Sequence, residues 1–418
     1  MMKATFRRAI KAVARFLLSA IPVFALVTLL HAQPAGTMHL VAPPEPVPAD
    51  FFGMHIHRVA DATPWPMVAV PAWRLWDAHA AWPDLEPVKG RWMFNALDKY
   101  LALAAEHHTR VLLPLGLSPQ WASARPEENS VYHPGYAAEP RDMEDWRNYV
   151  TAVATHCKGR VAAYEIWNEP NEKGFWTGDT DRMVALTREA AAIVHKIDPH
   201  ALVVSPSATM NAGVDWLTQF LRQGGGQYVD AIGFHFYVAP RPPEAMVPLI
   251  QRVKQVMEDA GVGEKPLWNT ETGWMAPKPF PSEDLGAAYL ARAFILNWAA
   301  GARAFYWYAW DNHTWVSLQT TEADSRTLRP AGRAYKVIQE WMAGAALSGC
   351  NQDAEHTWTC QLTRAGVTRW IVWNELGDRS FQIPAAWHAR TATPLLGEPQ
   401  AIQGAKLEIG QAPVLVAG

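Results

Sequence analysis

The stretch AAYEIWNEPNEKGFW, residues 162–176, decides how this chain is read. It opens as an apolar, β-prone run with the profile of a buried strand. The run stops abruptly at Asn168, Glu169 and Pro170, with Trp167 and Trp176 on either side. A carboxylate placed where a buried strand gives out asks for a reason.

Working outward, seven more runs of the same kind appear. Three precede it: FFGMHIH (51–57), AWRLWD (72–77) and RVLLPLG (110–116). Four follow: LVVSPSA (202–208), AIGFHFY (231–237), PLWNTETGW (266–274) and RAFYWYAW (303–310). Helical patterns lie between them. In FNALDKYLALAAEHH, for example, Leu97, Leu101 and Ala104 fall on one face at helical spacing. Segment 60–71 is Pro-rich and the poorest helical match. Alternating strand and helix implies an α/β fold with a parallel sheet, and eight units close into a (β/α)8 TIM barrel. An open doubly wound sheet would carry a glycine-rich phosphate turn after its first strand, and FGMHIHRVADATPWP has none.

From residue 346 the rhythm becomes short strands and turns, which reads as a small C-terminal β-sandwich-like domain, 346–418. The barrel is assigned to 49–345. The Pro-rich segment 33–48 reads as a linker that could add a strand to the β-domain. Residues 1–32 read as a signal peptide or N-terminal anchor: Lys3, Arg7, Arg8, Lys11 and Arg15 precede an apolar run over 16–30. Cleavage after Ala32 would leave no stable membrane span. The expected location is the periplasm or the exterior. Cys350 and Cys360 flank a short polar stretch in this exported region, where a hairpin disulfide fits. Cys157 is expected to be a buried free thiol. The cysteine spacing does not suggest a metal site.

The formal net charge is −3, with no long basic run in the body of the chain, so nucleic acid is excluded as a partner. The unusual count is 21 Trp. Most are expected in the core, but flat indole faces also stack on the apolar C–H faces of sugars.

Chemistry in a barrel of this kind sits at the C-terminal ends of the strands. Strand four ends in Asn168 and Glu169, strand six in His235 and Tyr237, strand seven in Glu271, and strand eight in Trp310 and Asp311; strand two carries Arg74. Two carboxyl groups across a barrel mouth can flank one glycosidic bond. Glu165, four residues before Glu169, is expected deeper, as a buried charge paired inside the barrel.

YEIWNEPN and WNTETGW resemble the acid/base and nucleophile motifs of glycoside hydrolase clan A, the retaining (β/α)8 enzymes. With LPLGLSPQWAS they look most like family 39 and related bacterial exopolysaccharide-associated glycosidases. The resemblance implies that Glu169 is the general acid/base and Glu271 the nucleophile. It implies that Asn168 binds the sugar 2-hydroxyl, that Tyr237 and Arg74 support the nucleophile, and that Trp310 lies under the sugar. His235 shares the face of Tyr237 and joins the expected site. Trp121, Trp176, Trp274 and His57 are further substrate-binding candidates; Asp77, His79, Trp82 and His133 are weaker ones. Trp307 and Tyr308 are assigned to the core.

The reading is thus an exported retaining glycoside hydrolase acting on a polysaccharide, such as an exopolysaccharide cut internally. Its carboxyl groups should stand about 5–5.5 Å apart. It needs no cofactor or metal, and a monomer is expected. A transglycosylase using the same site, or a non-catalytic carbohydrate-binding protein of a polysaccharide export system, is the alternative.

Overall fold

The computed structural model describes residues 37–275 and 279–418, so the expected leader over 1–32 lies outside the described residues. The barrel strands are β1 (Phe52–Met54), β2 (Ala72–Arg74), β3 (Arg110–Leu115), β4 (Ala163–Ile166), β5 (Leu202–Val204, resumed at Ala208–Thr209), β6 (Ile232–His235), β7 (Leu267–Thr272) and β8 (Ala302–Trp307). All pair in parallel, and β8 returns to β1 with Trp307 beside Met54. The Val204–Ala231 bridge joins β5 to β6 and completes the ring.

Period-two alternation sorts each strand's side chains. In β4, Tyr164 and Ile166 pack outward with the helices, while Ala163 and Glu165 face the barrel interior. The lower interior is filled by small and branched side chains, including Ala72, Leu112, Ala163 and Val204, around Tyr306. Gly53 is required there, since a Cβ at that position would lie 2.4 Å from the Tyr306 ring.

The covering helices are α1 (Trp82–Leu85), α2 (Asn95–Glu106), α3 (Met143–Cys157), α4 (Thr180–Ile197), α5 (Met210–Arg222), α6 (Met246–Asp259), α7 (Glu283–Ala299) and α8 (Pro330–Met342). Asp142, Asp179 and Ser282 cap α3, α4 and α7 by accepting a first-turn backbone N–H. Segment 60–71 forms no helix, and Pro64, Pro66 and Pro71 explain why by removing donors.

Helix α7 is buried continuously from Gly286 to Ala299. A helix apolar all round is one covered on every side, and here the β-domain supplies the second cover. Arg292 of α7 pairs with Glu244 at 3.2 Å and donates to the Gln411 carbonyl, while the Trp373 indole donates to Glu244 at 3.0 Å.

The β-domain holds β9 (Ala346–Gln352), β10 (Thr357–Arg364), β11 (Val367–Asn374), β12 (Arg379–Gln382), β13 (Thr391–Pro394), β14 (Gln400–Ala401), β15 (Lys406–Ile409) and β16 (Val414–Ala417). Its main sheet runs β9-β10-β11-β16-β13-β14, and Met38–Leu40 adds an antiparallel edge strand to β9. The β12–β15 pair lays Phe381 and Leu407 over Val372 and Val416, giving a second layer. Cys350 and Cys360 are opposite each other on β9 and β10 and form a disulfide; Cys157 is a buried free thiol. Among the described residues, no helix is long and apolar enough to cross a membrane.

Candidate active site

The opening motif takes its shape from the way β4 ends. Trp167 and Glu169 both adopt the left-handed backbone region, with φ of 64° and 43°. Non-glycine residues pay for that conformation, and it persists only where the surroundings hold it. They do: Trp167 N–H donates to the Leu115 carbonyl at 2.7 Å, and Glu169 N–H to the Ser207 carbonyl at 2.9 Å. The Trp167 indole reaches the Phe175 carbonyl at 2.7 Å and packs edge-on against Trp176. The two tryptophans therefore fasten the turn from behind, and Glu169 is turned into the barrel mouth.

On β7 the device is a register shift. Phe305 pairs with Asn269, but Trp307 pairs with Thr272, so β7 carries one extra residue between these points. A bulge re-aims side chains. Thr270 and Glu271, adjacent in sequence, consequently both reach the interior: Thr270 Oγ1 donates to Glu165 at 2.9 Å, and Glu271 meets Arg74 and Tyr237.

Arg74 is the hub. Fully buried on β2, it donates through Nε to Glu165 at 2.5 Å, through Nη1 to Glu271 at 2.7 Å and through Nη2 to Asn168 Oδ1 at 2.8 Å. Glu165 also accepts from Ser207 Oγ, so this deep carboxylate is spent on structure. Because the Asn168 carbonyl oxygen faces Arg74, its amine is left to donate to a ligand. Tyr237 donates to Glu271 Oε1 at 2.8 Å, and His235 Nδ1 lies 2.9 Å from Glu169 Oε1.

Burial raises the pKa of Glu169 and of Glu271, each to about 7; the Asp77 and Glu165 carboxylates add to the rise at Glu169, and the Glu169 carboxyl to that at Glu271. Their direct partners separate the roles. Glu271 accepts from a guanidinium and a phenol, so it ionises first; Glu169 faces a histidine that burial holds neutral, with its pKa pushed down to about 4. An ionised Glu271 beside a protonated Glu169 is the division of labour that acid-assisted displacement at an acetal carbon needs.

Donor atoms of Glu169, His235 and Glu271 lie within 4.8 Å of one another, which among the described residues is the group able to hold a metal ion. A cation there would compete with the Arg74 guanidinium already on Glu271.

These groups open into a cleft of about 1060 Å³. His57 lines it, and its backbone N–H donates to Asp311 at 2.9 Å. Asp77 also lines it, accepting from Tyr132 at 2.5 Å and Tyr308 at 2.7 Å, while His79 sits exposed at its edge.

The expected tryptophan platforms are elsewhere. Trp121 donates to the Glu86 carbonyl and packs edge-on against Trp82; Trp176 is buried against Trp167. Trp274 stacks on Trp307 and donates to the Arg241 carbonyl; Trp310 is buried and donates to the Ser325 carbonyl. None of the four lines the cleft: Trp176, Trp274 and Trp310 are buried among core neighbours, Trp121 is half-buried with the Lys89 ammonium over its ring, and all but Trp176 direct the indole N–H to a backbone carbonyl. Trp82 is core as well, and His133 stands outside the main cleft. The aromatic lining comes from Trp76, Tyr132, Phe175, Tyr237, Tyr308 and Trp315. Tyr308, assigned to the core from sequence, is thus a cleft residue. Trp76, Tyr132 and Phe175 contact one another with ring centroids 6.0–6.2 Å apart and form one wall. Their signal in the sequence was only their position in, or beside, the loops that follow strands two, three and four.

The chain is 29% identical over 224 residues to a β-xylosidase of Geobacillus stearothermophilus, covering 47% of this chain and 43% of that one. The match therefore spans less than half of that relative's length. By structure, the chain resembles a family 39 glycoside hydrolase from the gut symbiont Bacteroides cellulosilyticus WH2, with TM-score 0.71, 18% identity and coverage of 90% of this chain and 82% of the other. It also resembles a family 39 β-xylosidase from Caulobacter crescentus, with TM-score 0.64, 16% identity and coverage of 90% and 97%. At those identities the likeness speaks for the fold. The sequence model of glycosyl hydrolases family 39 matches residues 73–310, from the strand bearing Arg74 through both motif glutamates to Trp310, which is more than half the chain. This chain belongs to glycoside hydrolase family 39.

Proposed function

We propose that this protein is a retaining glycoside hydrolase that cleaves a polysaccharide by double displacement. The observation that carries the proposal is the carboxylate spacing: an oxygen of Glu169 lies within 4.8 Å of an oxygen of Glu271. Retaining enzymes hold these groups about 5–5.5 Å apart, whereas inverting enzymes leave ~6.5–9.5 Å for a water.

In the first step Glu169 gives its proton to the glycosidic oxygen as Glu271 attacks the anomeric carbon and the C–O bond breaks. The sugar is then esterified to Glu271. In the second step Glu169, now a carboxylate, takes a proton from water as the water oxygen displaces Glu271. Arg74 and Tyr237 keep Glu271 ionised before attack, and Asn168 offers its amine to the sugar 2-hydroxyl.

The open cleft suits internal cleavage of a long chain, with exopolysaccharide as the substrate class suggested by the sequence resemblance. The β-xylosidase relatives make xylosides the first small substrates to try. The β9–β10 disulfide supports export to an oxidising compartment, since such bonds persist there. The test is reducing-end release from bacterial exopolysaccharides, xylan and other β-glycans by the wild type and by Glu271→Gln. Release by the wild type alone supports the proposal. Equal release by both refutes the role of Glu271, and release by neither argues against hydrolysis of these polymers.

A further inference from the structure

We propose that Trp315 is the platform of a second sugar-binding subsite in the same cleft, stacking on a ring of the chain whose cleaved bond lies between Glu169 and Glu271. The inference rests on the hydrolase reading for the identity of the chain, and on separate observations for the subsite.

Trp315 follows β8 and lines the cleft with 66% of its surface exposed. Trp76, the other tryptophan lining the cleft, is buried. An indole carries a large apolar area, and leaving it in water forfeits the stabilisation that burial gives. A mobile loop could fold such a side chain away, but this loop is fixed at both ends. Asn312 Oδ1 accepts the backbone N–H of Thr314 at 3.2 Å and of Trp315 at 2.9 Å. On the far side, Ser317 N–H donates to the Trp274 carbonyl at 2.8 Å.

The anchoring leads back to the reaction centre. Asn312 Nδ2 donates to Tyr308 Oη at 3.0 Å, and Tyr308 donates to Asp77, which also receives Tyr132. Trp315 is therefore held in register with the walls that surround Glu271. The occupant is a sugar ring because the platform is continuous with the glycosidic site, and because the slightly positive C–H face of a pyranose meets the negative face of an indole. The cleft, at about 1060 Å³, is at the upper end of what a drug-sized ligand fills and has room for more than one ring.

The test uses the Glu271→Gln protein, which cannot complete turnover, and the same protein with Trp315→Ala, Trp315→Tyr or Asn312→Ala. Each is titrated calorimetrically with xylose, xylobiose, xylotetraose and the corresponding cello-oligosaccharides. The subsite predicts that affinity rises with chain length in the Trp315 protein. Trp315→Ala should lower tetrasaccharide affinity about tenfold, or ~1.4 kcal/mol, and flatten the length dependence. Trp315→Tyr should keep most of the affinity, and Asn312→Ala should lose part of it. Equal tetrasaccharide affinity with Trp or Ala at 315 would overturn the subsite. So would a Tyr variant as weak as Ala, or no binding of any of these sugars. Failure of the hydrolase reading looks different: length-dependent binding through Trp315 would persist while the wild type releases no reducing ends.

Discussion

Replacing Glu169 with Gln should stabilise the folded protein at alkaline pH while removing the proposed acid. Burial raises this carboxyl from an ordinary value near 4.5 to about 7 in the folded state. A group whose folded pKa is raised contributes stability that is fully present below its unfolded pKa. That stability is lost as pH rises through the folded pKa. The gap is about 2.5 units, and each unit is worth ~1.4 kcal/mol. Ionising Glu169 therefore costs the fold about 3 kcal/mol above pH 8, an upper figure because Glu271 titrates with it. Gln keeps the shape and cannot ionise. Urea unfolding of both proteins at pH 4.5 and 8.5 measures the effect. The variant should gain up to about 3 kcal/mol over the wild type at pH 8.5 and almost nothing at pH 4.5. A gap that does not change with pH, or a variant less stable at pH 8.5, would refute the reasoning. Turnover should fall least for substrates with good leaving groups, which need little protonation. Such a result would mark Glu169 as a site where stability yields to function.

Tyr237→Phe removes the phenol from Glu271 at 2.8 Å and should move the acid limb of kcat/KM upward by about one unit, because hydrogen bonds to charged groups contribute ~1.5–3 kcal/mol. An acid limb that stays in place would count against Glu271 as the ionised group. Arg74→Met leaves Glu165 and Glu271 buried without their shared cation, and urea unfolding should report a loss of about 3–5 kcal/mol. The paired change of Cys350 and Cys360 to Ala opens a loop with a sequence separation of 10 residues and should cost ~2–3 kcal/mol. Trp310→Ala should cost about 3–5 kcal/mol in stability, as for any buried tryptophan. A variant that folded normally but bound sugar poorly would restore Trp310 as a platform.

The barrel was legible because eight buried runs alternate with helical patterns, and a carboxylate at a strand end stands out against an apolar run. Arg74, Asn168 and Tyr237 came from the family resemblance, and period two added His235, two residues before Tyr237 on the same inner face. The limits of that logic are equally specific. Strand eight reads from sequence as 303–310, but β8 ends at Trp307. Tyr308 keeps the inward face of Tyr306 and reaches the cleft, whereas Trp310, past the strand end, turns into the core. The extra residue in β7, which lets both Thr270 and Glu271 face inward, leaves no mark in WNTETGW. Tryptophans near strand ends look alike in sequence whether they face the cleft or the helix layer. Trp176 packs back on Trp167 at the end of its own strand, and Trp274 stacks on Trp307 of the neighbouring strand. The Asp77–Tyr308–Asn312 chain joins loops far apart in sequence, and only the closed barrel brings them together.

The measurement that tests the central claim most directly is the anomeric configuration of the first sugar released from a cleaved glycoside, followed by proton NMR before mutarotation. Double displacement through Glu271 predicts that the product first appears with the configuration of the substrate. First appearance of the opposite anomer would mean a single displacement by water, and would contradict the assignment of Glu169 and Glu271 as a retaining pair.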